Sequence, residues 1–161
     1  MHRWSVALTI LACGLVGLAG CAASRPKPTR TLATLVASKS VNPDALGQPS
    51  PVVVRVYQLR GKSRFMNAGF FALYDHQRRT LGSSLITRDE RTVFPGQDLP
   101  LHIDLSAGAR YLGVLAAYRN VRTTRWRAVV GVPKKSLLKL LASRRVTVHV
   151  GKSAVGIAVS E

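Results

Sequence analysis

The sequence predicts an all-β-dominated chain: an antiparallel β-sandwich with a small helical insertion. Apolar residues alternate with polar ones at period two over most of the chain beyond Thr31. About seven such runs are separated by turn formers, and helical spacing is confined to short stretches between them. A chain of 161 residues with 47% hydrophobic content has room for one ordinary domain with a single core.

The elements follow in chain order. Arg3 precedes a 14-residue apolar run from Val6 to Ala19, broken only by Thr9, and small residues come after it. That is the layout of a secretory signal peptide, too short for a comfortable membrane span, so residues 1–20 are set apart as a removed segment. The next residues, Leu18-Ala19-Gly20-Cys21, resemble the bacterial lipobox, with cleavage between Gly20 and Cys21 and a lipidated thiol at Cys21. The alternative is a signal cut elsewhere, such as at Ala23, with Cys21 an ordinary small residue. Cys13 lies in the removed segment, so Cys21 would be the one cysteine left and no intramolecular disulfide can form. An N-acyl chain and an S-diacylglycerol group on Cys21, at roughly 0.8 kcal/mol per buried methylene, anchor a protein permanently where one chain would be marginal. Among lipoproteins, Asp after the cysteine favours inner-membrane retention; Ala22 here resembles the outer-membrane class. Residues 21–30, with Pro26 and Pro28, read as the lipidated N-terminus and its tether, which spans at most about 30 Å.

Residues 31–161 form the predicted domain. Thr31 to Ser40 reads as a first strand and Val52 to Leu59 as a strongly β-branched second one, with Val52, Val54 and Val56 on one face. The intervening Asn42, Pro43, Asp44, Ala45, Leu46, Gly47, Gln48, Pro49, Ser50 and Pro51 are rich in turn formers and belong on the surface. Arg60, Gly61, Lys62, Ser63 and Arg64 read as a basic loop. Phe65, Phe70, Phe71 and Tyr74 then recur at nearly helical spacing, with Asn67 a candidate cap, which predicts a helical insertion over about 67–83. Aromatic residues so spaced are assigned to packing against the sheet. Leu101, Ile103 and Leu105 alternate with polar residues, and Arg110 to Arg119 and Arg125 to Val132 follow as strands. A short amphipathic helix is expected after Pro133, and a closing hairpin sets Val146, Val148 and Val150 against Val155, Ile157 and Val159 across a turn at Gly151-Lys152.

Charge and motifs then narrow the function. The chain has 24 Lys and Arg against 7 Asp and Glu, a net +17. An exported chain meets no genome, and its cations are scattered instead of interleaved with aromatics, which argues against nucleic acid and leaves anionic lipid, an acidic protein or a merely solvated basic face. Gly61-Lys62-Ser63 and Gly151-Lys152-Ser153 lack the earlier glycine of a phosphate loop, since Val56 and Val146 stand there. His2, His76, His102 and His149 have no metal-ligand spacing. Asp89 and Glu90, the one adjacent carboxylate pair, are read as lying in a loop beside Arg88 and Arg91, and no serine sits in a nucleophile elbow. The expectation is therefore no enzyme, no catalytic residue, no metal, no cofactor beyond the covalent lipid, and no small-molecule substrate.

The run "VNPDALGQPSPVVVRVYQLRGKSRFMNAGFFALYD", then "FPGQ", then "ARYLGVLAAYRNVRTTRWRAVV" resembles the TssJ family of type VI secretion lipoproteins over nearly the whole mature chain. Asn42-Pro43-Asp44 with Gly47, Pro49, Ser50 and Pro51, Tyr57-Gln58-Leu59, Phe70-Phe71 with Leu73-Tyr74, Pro95-Gly96, Ala116 to Arg119 and Trp126-Arg127 carry the likeness. The resemblance implies a transthyretin-like β-sandwich held on the outer membrane and facing the periplasm. It implies a non-enzymatic role: docking the periplasmic C-terminal region of the inner-membrane protein TssM and joining the membrane complex to the outer membrane. It implies a binding loop between the first two strands, here Asn42 to Pro51, whose prolines reduce the ordering entropy of binding. Arg60, Lys62 and Arg64 form a second candidate surface. The competing expectation is a general outer-membrane lipoprotein that binds anionic lipid or lipopolysaccharide through its basic surface, or carries a lipid in a large apolar cavity.

Overall fold

A computed structural model describes residues 29–132 and 145–160. Gly20, Cys21, most of the tether and the expected helix after Pro133 lie outside the described residues. The strands are β1 (Thr29–Ala37), β2 (Val52–Leu59), β3 (Leu85–Val93), β4 (Asp98–Leu105), β5 (Tyr111–Ala116), β6 (Arg127–Gly131), β7 (Arg145–Val150) and β8 (Val155–Ser160). They form two four-stranded sheets, ordered β4-β1-β7-β8 and β3-β2-β5-β6. Three short helices, α1 (Ser63–Asn67), α2 (Phe70–Asp75) and α3 (Gln77–Leu81), and a 3-10 turn (Gly82–Ser84) join β2 to β3. The chain is the expected β-sandwich with a small helical insertion.

β2 shows how the layers arise. Val52, Val54 and Val56 face the opposite sheet and join Leu35, Val114, Ile103 and Val148 in the inner core. The other face of β2 is equally buried: Tyr57 and Leu59 pack with Phe65, Leu73, Leu81 and Leu115 beneath the helices. A strand with two buried faces reads as a nearly continuous apolar run, as "VVVRVYQL" does. Gly113 on β5 admits the helices, since a Cβ there would sit 3.0 Å from the ring of Phe65. Burying a side chain of that size contributes roughly 1.5–3 kcal/mol, and Phe65 also meets Tyr57 with ring centroids 5.3 Å apart.

Four sequence expectations need correction. The insertion begins at Ser63, not near residue 67, because burial of Phe65 organises the first turn; Asn67 ends α1 and does not cap a helix start. Of the aromatic stripe, Phe65 is core, whereas Phe71 points outward and is 66% exposed. β1 begins at Thr29, two residues inside the segment assigned to the tether. Asp89 and Glu90 lie within β3, not in a loop. β3 is an edge strand with mostly exposed faces, so it lacks the apolar alternation that would reveal it, and its charges discourage edge-to-edge pairing. The pairings are antiparallel except that β1 and β7 run parallel, side by side.

Successive strands alternate in direction, so the connections after β1, β3, β5 and β7 gather at one end of the sandwich. The chain enters at the other end, where Thr29 pairs with Leu105. β1 has nine residues and separates the two ends by roughly 30 Å.

Candidate partner-binding loop

The segment between β1 and β2 is held rigid from its base to its tip. At the base Val41 is fully buried, and the Ser50 backbone N–H donates to the Val41 carbonyl at 3.1 Å. Asn42 is 5% exposed and has φ +48°, a left-handed conformation that asparagine tolerates better than most residues. Its Nδ2 donates to the Pro51 carbonyl at 2.8 Å, its Oδ1 accepts the Arg119 backbone N–H at 2.8 Å, and its own N–H donates to the Lys152 carbonyl at 3.2 Å. One asparagine thus ties together the β1–β2, β5–β6 and β7–β8 connections. Near the tip, Asp44 Oδ1 accepts the N–H groups of Leu46 at 2.9 Å and Gln48 at 2.8 Å, and Gly47 at φ +80° completes the turn. One oxygen of the Asp44 carboxylate is therefore occupied within the loop.

The residues of the predicted loop divide by task. Asn42 and Ser50 are buried and structural, while Pro43 and Asp44 are half-buried. Ala45, Leu46, Gly47, Gln48 and Pro49 are exposed. Leu46 is 86% exposed on the tightly bonded turn. Such a tip is an apolar knob with little freedom left to lose on binding.

The neighbouring connections supply what the sequence reading missed. The Arg125 backbone N–H donates to the Ser153 carbonyl at 2.9 Å, and Tyr118 Oη donates to the Gly151 carbonyl at 3.1 Å, so the β5–β6 and β7–β8 connections are braced against each other. Burial pushes the Tyr118 phenol pKa well above its ordinary value. Lys39, Arg119, Arg122, Arg125 and Lys152 are all exposed at this end. The signal for them was strand parity: an up-and-down strand order puts every second connection at the same end.

Arg60, Lys62 and Arg64 do not join the loop. They follow the far end of β2, at the end where the chain enters. Arg64 belongs to α1 and its guanidinium donates to the Leu81 carbonyl at 3.3 Å, so it serves α3 rather than a loop. Lys62 Nζ stands 5.7 Å from the centroid of the Tyr111 ring. Among the described residues there is no cluster of three or more potential metal ligands. The apolar pocket between the sheets, lined by Thr31, Leu105, Leu112, Val130, Val146 and Val159 among others, measures about 10 Å3, room for a water molecule and not for an acyl chain.

Residues 29–153 match the family model described as type VI secretion lipoprotein, VasD, EvfM, TssJ. The chain belongs to the TssJ family. The crystal structure of the T6SS lipoprotein TssJ1 from Pseudomonas aeruginosa is similar, with 33% identity and a TM-score of 0.74 over 83% of this chain and 98% of that one. The Serratia marcescens Lip structure, a membrane-bound component of the type VI secretion system, gives 30% identity and a TM-score of 0.73 over 83% and 99%. A chain in a structure described as the T6SS protein TssM C-terminal domain from EAEC shares the fold at 22% identity and a TM-score of 0.61, over 82% and 98%. No curated protein matches by sequence. TssJ is a family of secretion-system lipoproteins and not of enzymes.

Proposed function

We propose that this TssJ-family chain is an outer-membrane adaptor. Cys21 carries the lipid, the sandwich faces the periplasm, and the exposed part of the β1–β2 loop docks the periplasmic C-terminal region of TssM, so that the membrane complex is held to the outer membrane. The observation that carries this reading is the polarity of the domain. The chain enters at one end, and the stiff loop with its apolar tip lies at the opposite end, turned away from any membrane to which the N-terminus is anchored. Residues Cys21 to Thr29 allow less than about 30 Å of tether, so the entry end stays near the bilayer and the loop reaches beyond it.

Arg60 and Lys62 belong to the entry end, where they suit anionic head groups better than a partner reached through the loop. The lipid-carrier version of that alternative needs a cavity for an acyl chain, and the pocket between the sheets is too small for one.

Calorimetric titration of the mature chain against the TssM C-terminal region of the same organism tests the adaptor. The comparison variant replaces residues 45–49 with Gly and Ser while keeping Asn42, Asp44 and Ser50, so that the base stays closed. The expected result is saturable binding by the wild type, lost in a variant with an unchanged unfolding midpoint. Absence of binding by folded wild type overturns the adaptor reading; binding that survives in the variant overturns the loop as its site. Cys21→Ser should leave the membrane fraction, and its retention there would overturn the anchor.

A further inference from the structure

We infer that the loop end is a composite docking surface whose partner presents an apolar pocket bordered by carboxylates. The inference rests on the adaptor reading and adds the chemistry of the partner's face. Leu46 supplies the knob, and Lys39, Arg119, Arg122, Arg125 and Lys152 are exposed at the same end, on connections that are hydrogen-bonded to one another.

Charge complementarity selects the occupant. None of those five side chains makes an ion pair or side-chain hydrogen bond within the described residues. Among the described residues the acids at this end are Asp44, one oxygen of which accepts N–H groups of its own loop, and Asp98 at the start of β4. Five cations against two carboxylates leave the end that carries the apolar tip net positive, which repels a basic partner and speeds the approach of an acidic one. A bilayer is the poorer occupant, because this end lies opposite the anchored one. Position also separates these cations from Arg60 and Lys62, which share their sign and not their end.

The test measures affinity of the mature chain for the TssM C-terminal region at 50 and 500 mM NaCl, with two charge-matched variants. Arg122→Glu/Arg125→Glu reverses charge at the loop end, and Arg60→Glu/Lys62→Glu does so at the entry end. The expected result is a loss of about tenfold or more for the loop-end variant at low salt, shrinking at high salt, with little change for the entry-end variant. Leu46→Ser should weaken binding without changing its salt dependence. Equal affinity of wild type and the loop-end variant overturns the inference while leaving the adaptor standing. Equal losses in both charge variants also overturn it, because net charge alone would then explain the effect. No binding by wild type overturns the adaptor and this inference with it. In parallel, vesicles with 30% phosphatidylglycerol should not discriminate between wild type and the loop-end variant; vesicle binding lost only on loop-end reversal would assign the surface to a membrane and overturn the inference.

Discussion

Arginine does two different jobs in two regions of this molecule. Beneath and around the helices, Arg55 donates to the Tyr74 carbonyl at 2.6 Å, Arg127 to the Ala68 carbonyl at 2.5 Å and Arg64 to the Leu81 carbonyl at 3.3 Å. Each of these carbonyls lies at the C-terminal end of a short helix. A guanidinium there satisfies a group left over by the helix and offsets the negative end of its dipole. At the loop end, Arg119, Arg122 and Arg125 are exposed, and among the described residues their side chains make no hydrogen bond or ion pair. The difference teaches that a net charge of +17 is not one property. Part of it is structural cement for helices too short to stand alone, and part is an open electrostatic surface.

The largest expected effect tests the structural half. Arg55 is nearly buried, lies 3.8 Å from the centroid of the Tyr74 ring and pairs with Glu90 at 2.6 Å. Arg55→Ala removes two charge-assisted bonds and should cost about 3 kcal/mol of stability by urea unfolding. Arg55→Lys should recover only part of it, because an ammonium cannot serve Glu90 and the Tyr74 carbonyl with the same planar fork. A loss below about 0.5 kcal/mol, the range of ordinary surface substitutions, would dissolve the distinction between the two arginine sets.

Asn42→Ala comes next. It leaves the Pro51 carbonyl and the Arg119 N–H without their side-chain partner and places alanine at φ +48°. A cost of about 2 kcal/mol is expected, together with faster amide exchange in the loops at that end and weaker TssM binding. Leu46→Ala should do the reverse: stability within about 0.5 kcal/mol of wild type, and a binding loss of about 1–2 kcal/mol, as for an apolar anchor that fills a pocket. If Asn42→Ala weakened binding without touching stability, the boundary drawn between base and tip would be misplaced.

These contrasts show what was legible in the sequence. The inner core could be read directly: Val52, Val54 and Val56 on β2, Leu101, Ile103 and Leu105 on β4 and the valines of the last hairpin all alternate cleanly and are all in the core or packed against it. β3 could not, because between its ends, where Leu85 and Val93 pack inward, this edge strand is mostly exposed and needs no apolar period. The start of the insertion was missed because Phe65 belongs to a helix of five residues, without an N-cap side chain to mark it. The loop was recognisable from its prolines, glycine and family likeness, but its division into base and tip was not. Asn42 and Ser50 look like surface turn residues until the neighbouring connections close over them. The arginines divide for the same reason: only tertiary structure decides which ones find a carbonyl.

The smallest expected effect concerns Tyr118, which braces the loop end from below. Its hydroxyl donates to the Gly151 carbonyl, and burial raises its pKa above the ordinary value of 10.0. A phenol raised on folding adds stability that is fully present below the unfolded pKa and is lost as pH rises toward the folded value. Stability should therefore be insensitive to this group up to about pH 9 and fall above pH 10. Tyr118→Phe removes one hydrogen bond and should cost about 1 kcal/mol at pH 7, while flattening part of the alkaline decline. Tyr57, also raised by burial, keeps the remainder. Urea unfolding of both proteins at pH 7 and pH 10.5 measures this, and the gap between them should narrow at the higher pH. A gap that widened instead would mean that the folded protein tolerates the phenolate at that position.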